Sequence, residues 1–350
     1  MNNIRRKISL LAMMVMASLI TLVSTTYAFF VLNDEAKISS FDFEIENQDG
    51  LLLSLDGVNF YQDLSYEMIA KAIVEAQGQT YTKDTDTVLN YFSLSGVQLA
   101  TNGTSVNVET TTDGSTVSFV KDSLSAVTPG AGSLDDLAYE HVMVDADAYS
   151  YITFDLYCKV ETNAMTEAEL ASGYELYFSD RTSITGSSQK VTLVNSLTTQ
   201  TGELEAGDEL EVNAADAMRI AVLDKETGEI QVFEPNVGLG SSAVEGGSGD
   251  NNPSTNAMYT YYNNTHPLSP FASAASPNAQ FETIRETALT TTKLGVFKYE
   301  ANDVEDLNDN FNVIKLTIMI YMDGWDADYF MGINENNLKV KLGFEIKKVQ

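Results

Sequence analysis

The sequence predicts a mainly β fold, most simply a β-sandwich of jelly-roll type with two short helices and an N-terminal signal helix. Three observations predict it. Apolar and polar residues alternate with a period of two in many segments, turn residues separate those segments, and helical periodicity is confined to two places. Such alternation is typical of strands that bury one face and expose the other.

The N-terminus predicts a signal helix for export. Residues 5–7 are Arg-Arg-Lys and residues 8–23 are almost all apolar, which matches the charged and apolar regions of a signal peptide. Residues 26–28, Thr-Tyr-Ala, then place small side chains three and one positions before a cleavage point. We therefore expect a signal peptidase to cut between Ala28 and Phe29, so that residues 1–28 form the signal peptide.

An uncleaved membrane anchor is the alternative. The apolar stretch can be followed to Leu32, which approaches the roughly 20 residues that span a bilayer. We favour cleavage because the small residues stand at the spacing that the peptidase requires. The protein then meets the membrane only through its signal segment, and we expect it to be secreted and associated with the cell surface.

The composition excludes several classes of protein. Lys and Arg number 20 against 50 Asp and Glu, and the net charge of -30 repels nucleic acid and anionic lipid. With 44% hydrophobic residues, the chain still has enough apolar side chains for a folded core. A single cysteine, Cys158, rules out an internal disulfide framework. Because Cys158 stands on the apolar side of the alternating segment 152–160, we predict a buried structural thiol.

Alternation and turn residues place the strands along the chain. Residues 41–46 and 338–347 alternate cleanly near the two ends. Residues 313–322 are apolar on nearly both faces, which predicts a central strand covered on two sides. Two pairs of runs flank turn residues and predict β-hairpins: 105–110 with 116–120 around Asp113-Gly114, and 220–223 with 230–233 around 224–228.

Helical signals occur in two places. Apolar residues at helical spacing over 64–76 predict one helix. A capping box formed by Thr166 and Glu169, with Gly173 as the stop signal, predicts the other.

The domain organisation depends on residues 238–256, which are rich in Gly, Ser and Asn and lack periodicity. This composition predicts a long loop or linker. Since predicted strands recur on both sides of it, we expect one elaborated β-sandwich domain over residues 29–350. Two β modules split near residue 245 are the alternative.

The sequence contains no recognisable catalytic constellation. The two histidines, His141 and His266, are far apart in unlike contexts. Neither a zinc hydrolase helix motif, nor a nucleophile elbow, nor a phosphate-binding loop is present in a suitable context. We therefore predict that the protein is not an enzyme and that it has no catalytic, cofactor-binding or metal-binding residues.

Clustered carboxylates leave a Ca²⁺ site as an alternative. Hard cations prefer oxygen ligands, but no acidic cluster fits the twelve-residue calcium loop. We interpret the clusters as solvated turns of an acidic protein: Asp84 and Asp86, Asp145 and Asp147, residues 303–309, and Asp323, Asp326 and Asp328.

Aromatic residues suggest a second function class. Tyr149, Tyr151 and Tyr157 share one predicted strand, three tyrosines lie within 259–262, and Trp325 follows the predicted central strand. Rigid aromatics in polar loops suit carbohydrate or adhesion contacts, and they equally suit a strand that covers a core. A cell-surface carbohydrate-binding or ligand-binding module is therefore the alternative to a structural protein.

Cleavage after Ala28 would expose an apolar chain end. The mature chain would begin with Phe29, Phe30, Val31 and Leu32, and burying four such side chains is worth on the order of 6–10 kcal/mol before ordering costs. We expect this segment to add as a strand to a sheet of its own chain or of a neighbouring copy. Donation between copies makes fibres when it repeats head to tail.

The junction TTYAFFVLND at 25–34, followed by ISSFDFEIE at 38–46, resembles the start of TasA and camelysin-type proteins, which are exported through the SipW class of signal peptidase. The resemblance covers the N-terminal segment. Further on, residues 214–224 and 313–346 resemble recurring segments of exported Firmicutes proteins of unknown function. This chain is longer than typical fibre subunits.

The resemblance implies a jelly-roll surface protein of a Gram-positive bacterium that assembles into biofilm-matrix fibres. The donated strand would be Phe29–Leu32, and the partners would be further copies, other cell-surface proteins and, during export, the signal peptidase. The expected function is therefore that of a non-enzymatic extracellular structural protein.

Overall fold

The structure is a computed structural model, and the residues that it describes are mostly in strands, which confirms the predicted mainly β fold. The described residues are 37–47, 50–76, 80–82, 96–101, 107–110, 116–126, 139–145, 150–161, 172–192, 197–199, 202–236, 283–285, 288–298, 312–323 and 334–349.

The described strands are, in chain order, β1 (Lys37–Asn47), β2 (Leu51–Ser54), β3 (Gly96–Thr101), β4 (Asn107–Thr110), β5 (Thr116–Ala126), β6 (Tyr139–Asp145), β7 (Ile152–Val160), β8 (Tyr174–Phe178), β9 (Ser183–Gly186), β10 (Ser188–Thr192), β11 (Leu197–Thr199), β12 (Gly202–Leu204), β13 (Glu209–Asn213), β14 (Met218–Asp224), β15 (Ile230–Glu234), β16 (Thr283–Arg285), β17 (Lys293–Phe297), β18 (Ile314–Asp323) and β19 (Asn334–Lys348). The helix α1 spans Tyr66–Ala76, and a 3-10 turn spans Ala214–Ala217.

Two large sheets contain most of these strands. The five-stranded sheet has the order β1-β19-β8-β17, and β9 also pairs with β19. The ten-stranded sheet has the order β16-β15-β14-β18-β3-β5-β4, with β7 joining β18 to β2 and with β6 beside β5. Strands from both sides of residue 245 therefore pair within each large sheet, as β14 does with β18 and β8 does with β19.

The ten-stranded sheet is built around β18. This strand pairs antiparallel with β14 on one side and with β7 on the other. Nine of its ten residues are buried, and the tenth, Lys315, is half-buried. The prediction of a central strand over 313–322 is therefore confirmed. A strand covered on both faces needs apolar residues at consecutive positions, which explains its unbroken apolar sequence.

Both predicted hairpins form. β14 and β15 pair antiparallel from Ile220 opposite Phe233 to Leu223 opposite Ile230. Their turn ends at Gly228, whose φ of 70° lies in the left-handed region that glycine adopts without strain. β4 and β5 also pair antiparallel, with Thr110 opposite Thr116.

One continuous apolar cluster joins the two large sheets and the helix. It includes Leu176 and Phe344 from the five-stranded sheet, Ile318 and Phe233 from the ten-stranded sheet, and Ile73 from α1, all of them at most 1% exposed. Cys158 belongs to the same cluster and is fully buried, as predicted. The fold is therefore held by core packing.

Helix α1 follows the predicted apolar spacing but begins later than the spacing implies. Ser65 precedes it, and the Ser65 hydroxyl accepts a hydrogen bond from the Met68 amide at 3.3 Å, which is an N-cap interaction. Leu64, predicted as helical, instead forms a β-bridge with Ile45 of β1. The helix therefore begins after Ser65, because Ser65 acts as its N-cap and Leu64 is already paired with β1.

Several predicted features lie outside the described residues. They are the signal helix over 1–28, the capping box of Thr166 and Glu169, and the loop over 238–256. Gly173, the predicted stop of the second helix, is described and has a φ of 77°.

Candidate functional site

On the face of the ten-stranded sheet opposite the main core, a group of buried charges lies at one end of the sheet. On this face the apolar residues form a second buried cluster: Tyr151, Ala221, Leu223, Val232, Met319 and Tyr321. Arg219 of β14, Glu234 of β15 and Asp323 of β18 lie on the same face, because each is two residues from a member of this cluster. All three stand at the same end of the sheet. Together with Asp216 of the 3-10 turn they are called the Arg219 cluster below.

Arg219 is the centre of this cluster, and its side chain is fully buried. Its Nη2 lies 3.0 Å from Oε1 of the fully buried Glu234, and its Nε lies 3.9 Å from Oδ2 of Asp323. Its Nη1 donates hydrogen bonds to the backbone oxygens of Asp216 and Met218, both at 3.1 Å. One guanidinium therefore contacts the 3-10 turn and the ends of β15 and β18.

Burial changes the protonation of two groups beside Arg219. Burial raises the pKa of the Asp216 carboxyl to about 6, against an opposing effect of Arg219 and with a smaller contribution from Glu234. Burial also raises the pKa of the Tyr321 hydroxyl above its usual range. Both shifts disfavour additional negative charge here, as expected where water is excluded.

The chemistry of the Arg219 cluster favours a structural role. A guanidinium cannot act as a general base because it stays protonated, and the carboxylate of Glu234 is held in an ion pair. A buried pair of this kind adds little net stability, but the loss of one partner is strongly destabilising.

A second candidate site is the contact between the first and the last of the described strands. β1 pairs in parallel with β19 over ten register positions, including Phe43 opposite Val340 and Glu44 opposite Lys341. Ile45 is 2% exposed and belongs to the main core, while Oε2 of Glu44 lies 3.3 Å from Nζ of Lys339 at the surface. The contact thus has an apolar side and a charged side.

Further polar contacts beside β7 join half-exposed charges to the buried Thr317. Nζ of Lys315 is 2.8 Å from Oδ2 of Asp155, and the Thr317 hydroxyl donates to Oδ1 of Asp155 at 2.9 Å. Lys315 also lies over the ring of Tyr157, with 5.3 Å from Nζ to the ring centroid. A half-exposed ion pair such as that of Lys315 with Asp155 contributes little to stability.

Most of the predicted site residues lie outside the described residues. This holds for the cleavage site at Ala28 and Phe29, for the strand Phe29–Leu32, for Trp325 and for residues 259–262.

Three further predicted residues are described at least in part. Tyr151 is buried in the second apolar cluster, Tyr157 is half-buried, and His141 lies in β6. The described residues include no group of three His, Cys, Asp or Glu side chains arranged to hold a metal ion.

The interpretation of Asp323 as part of a solvated acidic turn is wrong. Its side chain is 9% exposed and faces Arg219, because Asp323 is the last residue of the central strand rather than the first of a turn. Sequence reasoning also missed Arg219 and Glu234 as a site. The available signal was one charged residue within each of two segments that are otherwise uncharged and mostly apolar, 217–223 and 230–235.

Within the part of the chain that the structure describes, no helix has the length and apolar character needed to cross a membrane. No protein-family model and no curated protein matches this chain.

Proposed function

We propose that this chain is a non-enzymatic extracellular structural protein of the cell surface or biofilm matrix, similar to TasA and camelysin-type proteins. It is exported by a signal peptide cleaved after Ala28, its β domain is a jelly-roll sandwich, and its copies assemble through the N-terminal segment. Phe29–Leu32 begins the donated strand.

The single observation that carries the proposal is the pairing of β1 with β19. The first described strand adds in parallel to the last described strand over ten register positions. A strand at the edge of a sheet can be supplied by its own chain or by another copy with the same contacts, because the strand that it pairs with is identical in every copy.

The two sides of this contact also define its register. Ile45 places its side chain in the core, and a shift by one residue would turn Ile45 outward and Glu44 inward. The ion pair of Glu44 with Lys339 adds a weak preference at the surface. A donated strand would therefore find one favoured alignment, which repeated assembly requires.

The first experiment compares a chain that begins at Phe29 with one that lacks residues 29–33. We expect fibres or large oligomers from the first and monomers from the second, by size-exclusion chromatography and negative-stain imaging. Monomers from both chains would contradict assembly through the apolar end. Binding of the monomer in a glycan array, lost in Trp325→Ala, would support the ligand-binding alternative.

The second experiment asks whether β1 is exchanged between copies. Glu44 and Lys341 are Cα partners in the register, so cysteines at both positions are close enough for a disulfide. Chains with Glu44→Cys alone are mixed with chains with Lys341→Cys alone and oxidised. Exchange predicts a covalent pair of chains on a non-reducing gel, and Cys158 does not interfere because it is fully buried.

Two controls define the result. The double variant Glu44→Cys with Lys341→Cys shows that the disulfide forms, within or between chains. Val58→Cys mixed with Lys341→Cys measures random cross-linking, since Val58 is exposed and not part of this pairing. A linked double variant together with an unlinked mixture would show that β1 stays in its own chain.

A further inference from the structure

The loop that follows β2 contains an aspartate followed by a glycine, Asp56-Gly57. This dipeptide is chemically labile in flexible chains, because glycine has no side chain to hinder attack of its amide nitrogen on the preceding carboxyl group. The Gly57 nitrogen forms a bond to Cγ of the neutral Asp56 carboxyl, and the carboxyl hydroxyl leaves as water with the amide proton. Hydrolysis of the resulting cyclic imide at one carbonyl returns aspartate, and at the other it leaves an isoaspartyl linkage. Asp56 is exposed, so water reaches the reacting groups.

The fold requires glycine at position 57. Gly57 has a φ of 71°, which lies in the left-handed region that other residues rarely adopt. A Cβ at this position would also lie 2.9 Å from the ring of Tyr157 in β7. A bulkier residue, which would slow imide formation by steric hindrance, therefore does not fit. Protection of this pair must come from the contacts of the loop instead.

Hydrogen bonds fix both partners of this reaction. Oδ1 of Asp56 accepts from the backbone amides of Val58 and Asn59, both at 2.8 Å, and from the Ser54 hydroxyl at 2.8 Å. Oδ2 accepts from the Asn59 side chain at 2.7 Å. The Gly57 amide, which would be the nucleophile, donates to the Ser54 hydroxyl at 2.9 Å. The carboxylate is therefore held towards Val58 and Asn59, while the nucleophilic N–H is directed at Ser54.

The loop is also closed at its base and keeps the carboxyl group ionised. Leu53 and Tyr61 exchange two backbone hydrogen bonds of 2.8 Å. The hydrogen bonds from Asn59, together with those from its neighbours, hold the pKa of the Asp56 carboxyl well below its usual range. The neutral carboxyl that imide formation needs is therefore scarce. The reaction requires the loop to open and the carboxylate to take up a proton.

We propose that Asp56-Gly57 is a latent isoaspartate site, which the hydrogen bonds of Ser54 and Asn59 keep as aspartate while the loop is folded. This inference is independent of the proposed function, because it uses only contacts within the loop and with β7. It follows that isoaspartate at position 56 forms when the loop opens, so that its amount records local opening beside β2.

The test measures imide formation in heavy-oxygen water, because hydrolysis of each imide adds one heavy oxygen atom to the peptide that contains Asp56. The full chain is aged at neutral pH, folded and in denaturant, and is then digested in ordinary water for mass spectrometry. We expect oxygen incorporation and isoaspartate formation at Asp56 to be several-fold slower in the folded chain. Asp113-Gly114 in the denatured chain is the reference for an unprotected pair. Equal rates at Asp56 in the folded and the denatured chain would overturn the proposal.

Two variants assign the protection to its hydrogen bonds. Ser54→Ala removes the acceptor of the Gly57 amide, and Asn59→Ala removes the donor to Oδ2 of Asp56. In each folded variant we expect the rate at Asp56 to rise several-fold. Gln62→Ala is the control and should leave the rate unchanged, because Gln62 is exposed in the same loop and makes none of these bonds.

Labelling of the buried Cys158 separates local from global opening. The labelling should be as slow in both variants as in the native chain, because the core stays closed while the loop opens. Unchanged rates at Asp56 in both variants, or a rise that faster labelling of Cys158 matches, would overturn the proposal.

Discussion

The rings of Phe178 and Phe233 pack edge to face across the two large sheets, with 4.8 Å between their centroids and an interplanar angle of 84°. Phe178 ends β8 in the five-stranded sheet, and Phe233 lies in β15 of the ten-stranded sheet. Phe344 of β19 also packs against Phe178, with 5.3 Å between the ring centroids. Three buried rings thus connect β19, which pairs with β1, to β15, which carries Glu234.

We expect Phe233→Ala to destabilise the protein by about 3–5 kcal/mol, because it removes a fully buried ring and leaves a cavity between the sheets. The measurement is urea-induced unfolding followed by circular dichroism. Val58→Ala is the matched control, since Val58 is 77% exposed and its truncation should change the free energy of unfolding very little. Equal effects of the two substitutions would contradict the packing described here.

Arg219→Met should destabilise the protein by about 3–5 kcal/mol, since it leaves the carboxylate of Glu234 buried without its ion-pair partner. Adding Glu234→Leu to Arg219→Met should recover much of this loss, because the second substitution removes the uncompensated charge. Equilibrium unfolding of the native chain, both single variants and the double variant measures the coupling. A double variant as unstable as the sum of the single variants would show that the pair does not act as a unit.

Local features of the fold were predictable from the sequence, whereas long-range pairings were not. The hairpin of β14 and β15 could be predicted because its two apolar runs and its turn are contiguous in the chain. The central strand could be predicted because burial on both faces leaves an unbroken apolar run. The pairing of β1 with β19 could not, because alternating residues at 41–46 fit the edge of many strands equally well.

The charged residues of the candidate site illustrate the same limit. Arg219 and Glu234 are visible in the sequence as single charges in apolar segments, but they could not be assigned to each other without the register of β14 and β15. Asp323 was misinterpreted because it stands beside Asp326 and Asp328, so that composition suggested a solvated turn. Its burial follows from the end of β18, which tertiary pairing determines.

Gly343→Ala should destabilise the protein by about 1–3 kcal/mol, since the added methyl group would be too close to the Ser179 hydroxyl and to the backbone of Thr182. This glycine also holds the connection between β8 and β9, because its carbonyl accepts from the Ser179 amide at 2.8 Å and from the Thr182 hydroxyl at 2.9 Å. Thermal unfolding measures the change.

Ser179→Ala provides the control for Gly343→Ala. It removes the hydroxyl that the new methyl group would meet first, so Gly343→Ala should cost less in a Ser179→Ala background than in the native sequence. Equal costs in the two backgrounds would show that the close approach to Ser179 does not limit this position.

Cys158 should be unreactive towards thiol reagents in the folded protein. Its side chain is fully buried in β7, and burial raises the pKa of the thiol well above its usual range, so that the reactive thiolate is scarce. The measurement is labelling by a chromogenic disulfide at pH 8 over a series of urea concentrations. We expect the labelling to follow the unfolding transition, whereas a thiol introduced by Val58→Cys in the exposed loop should react at once without urea. Rapid labelling of native Cys158 would mean that β7 opens locally while the rest of the fold stays intact.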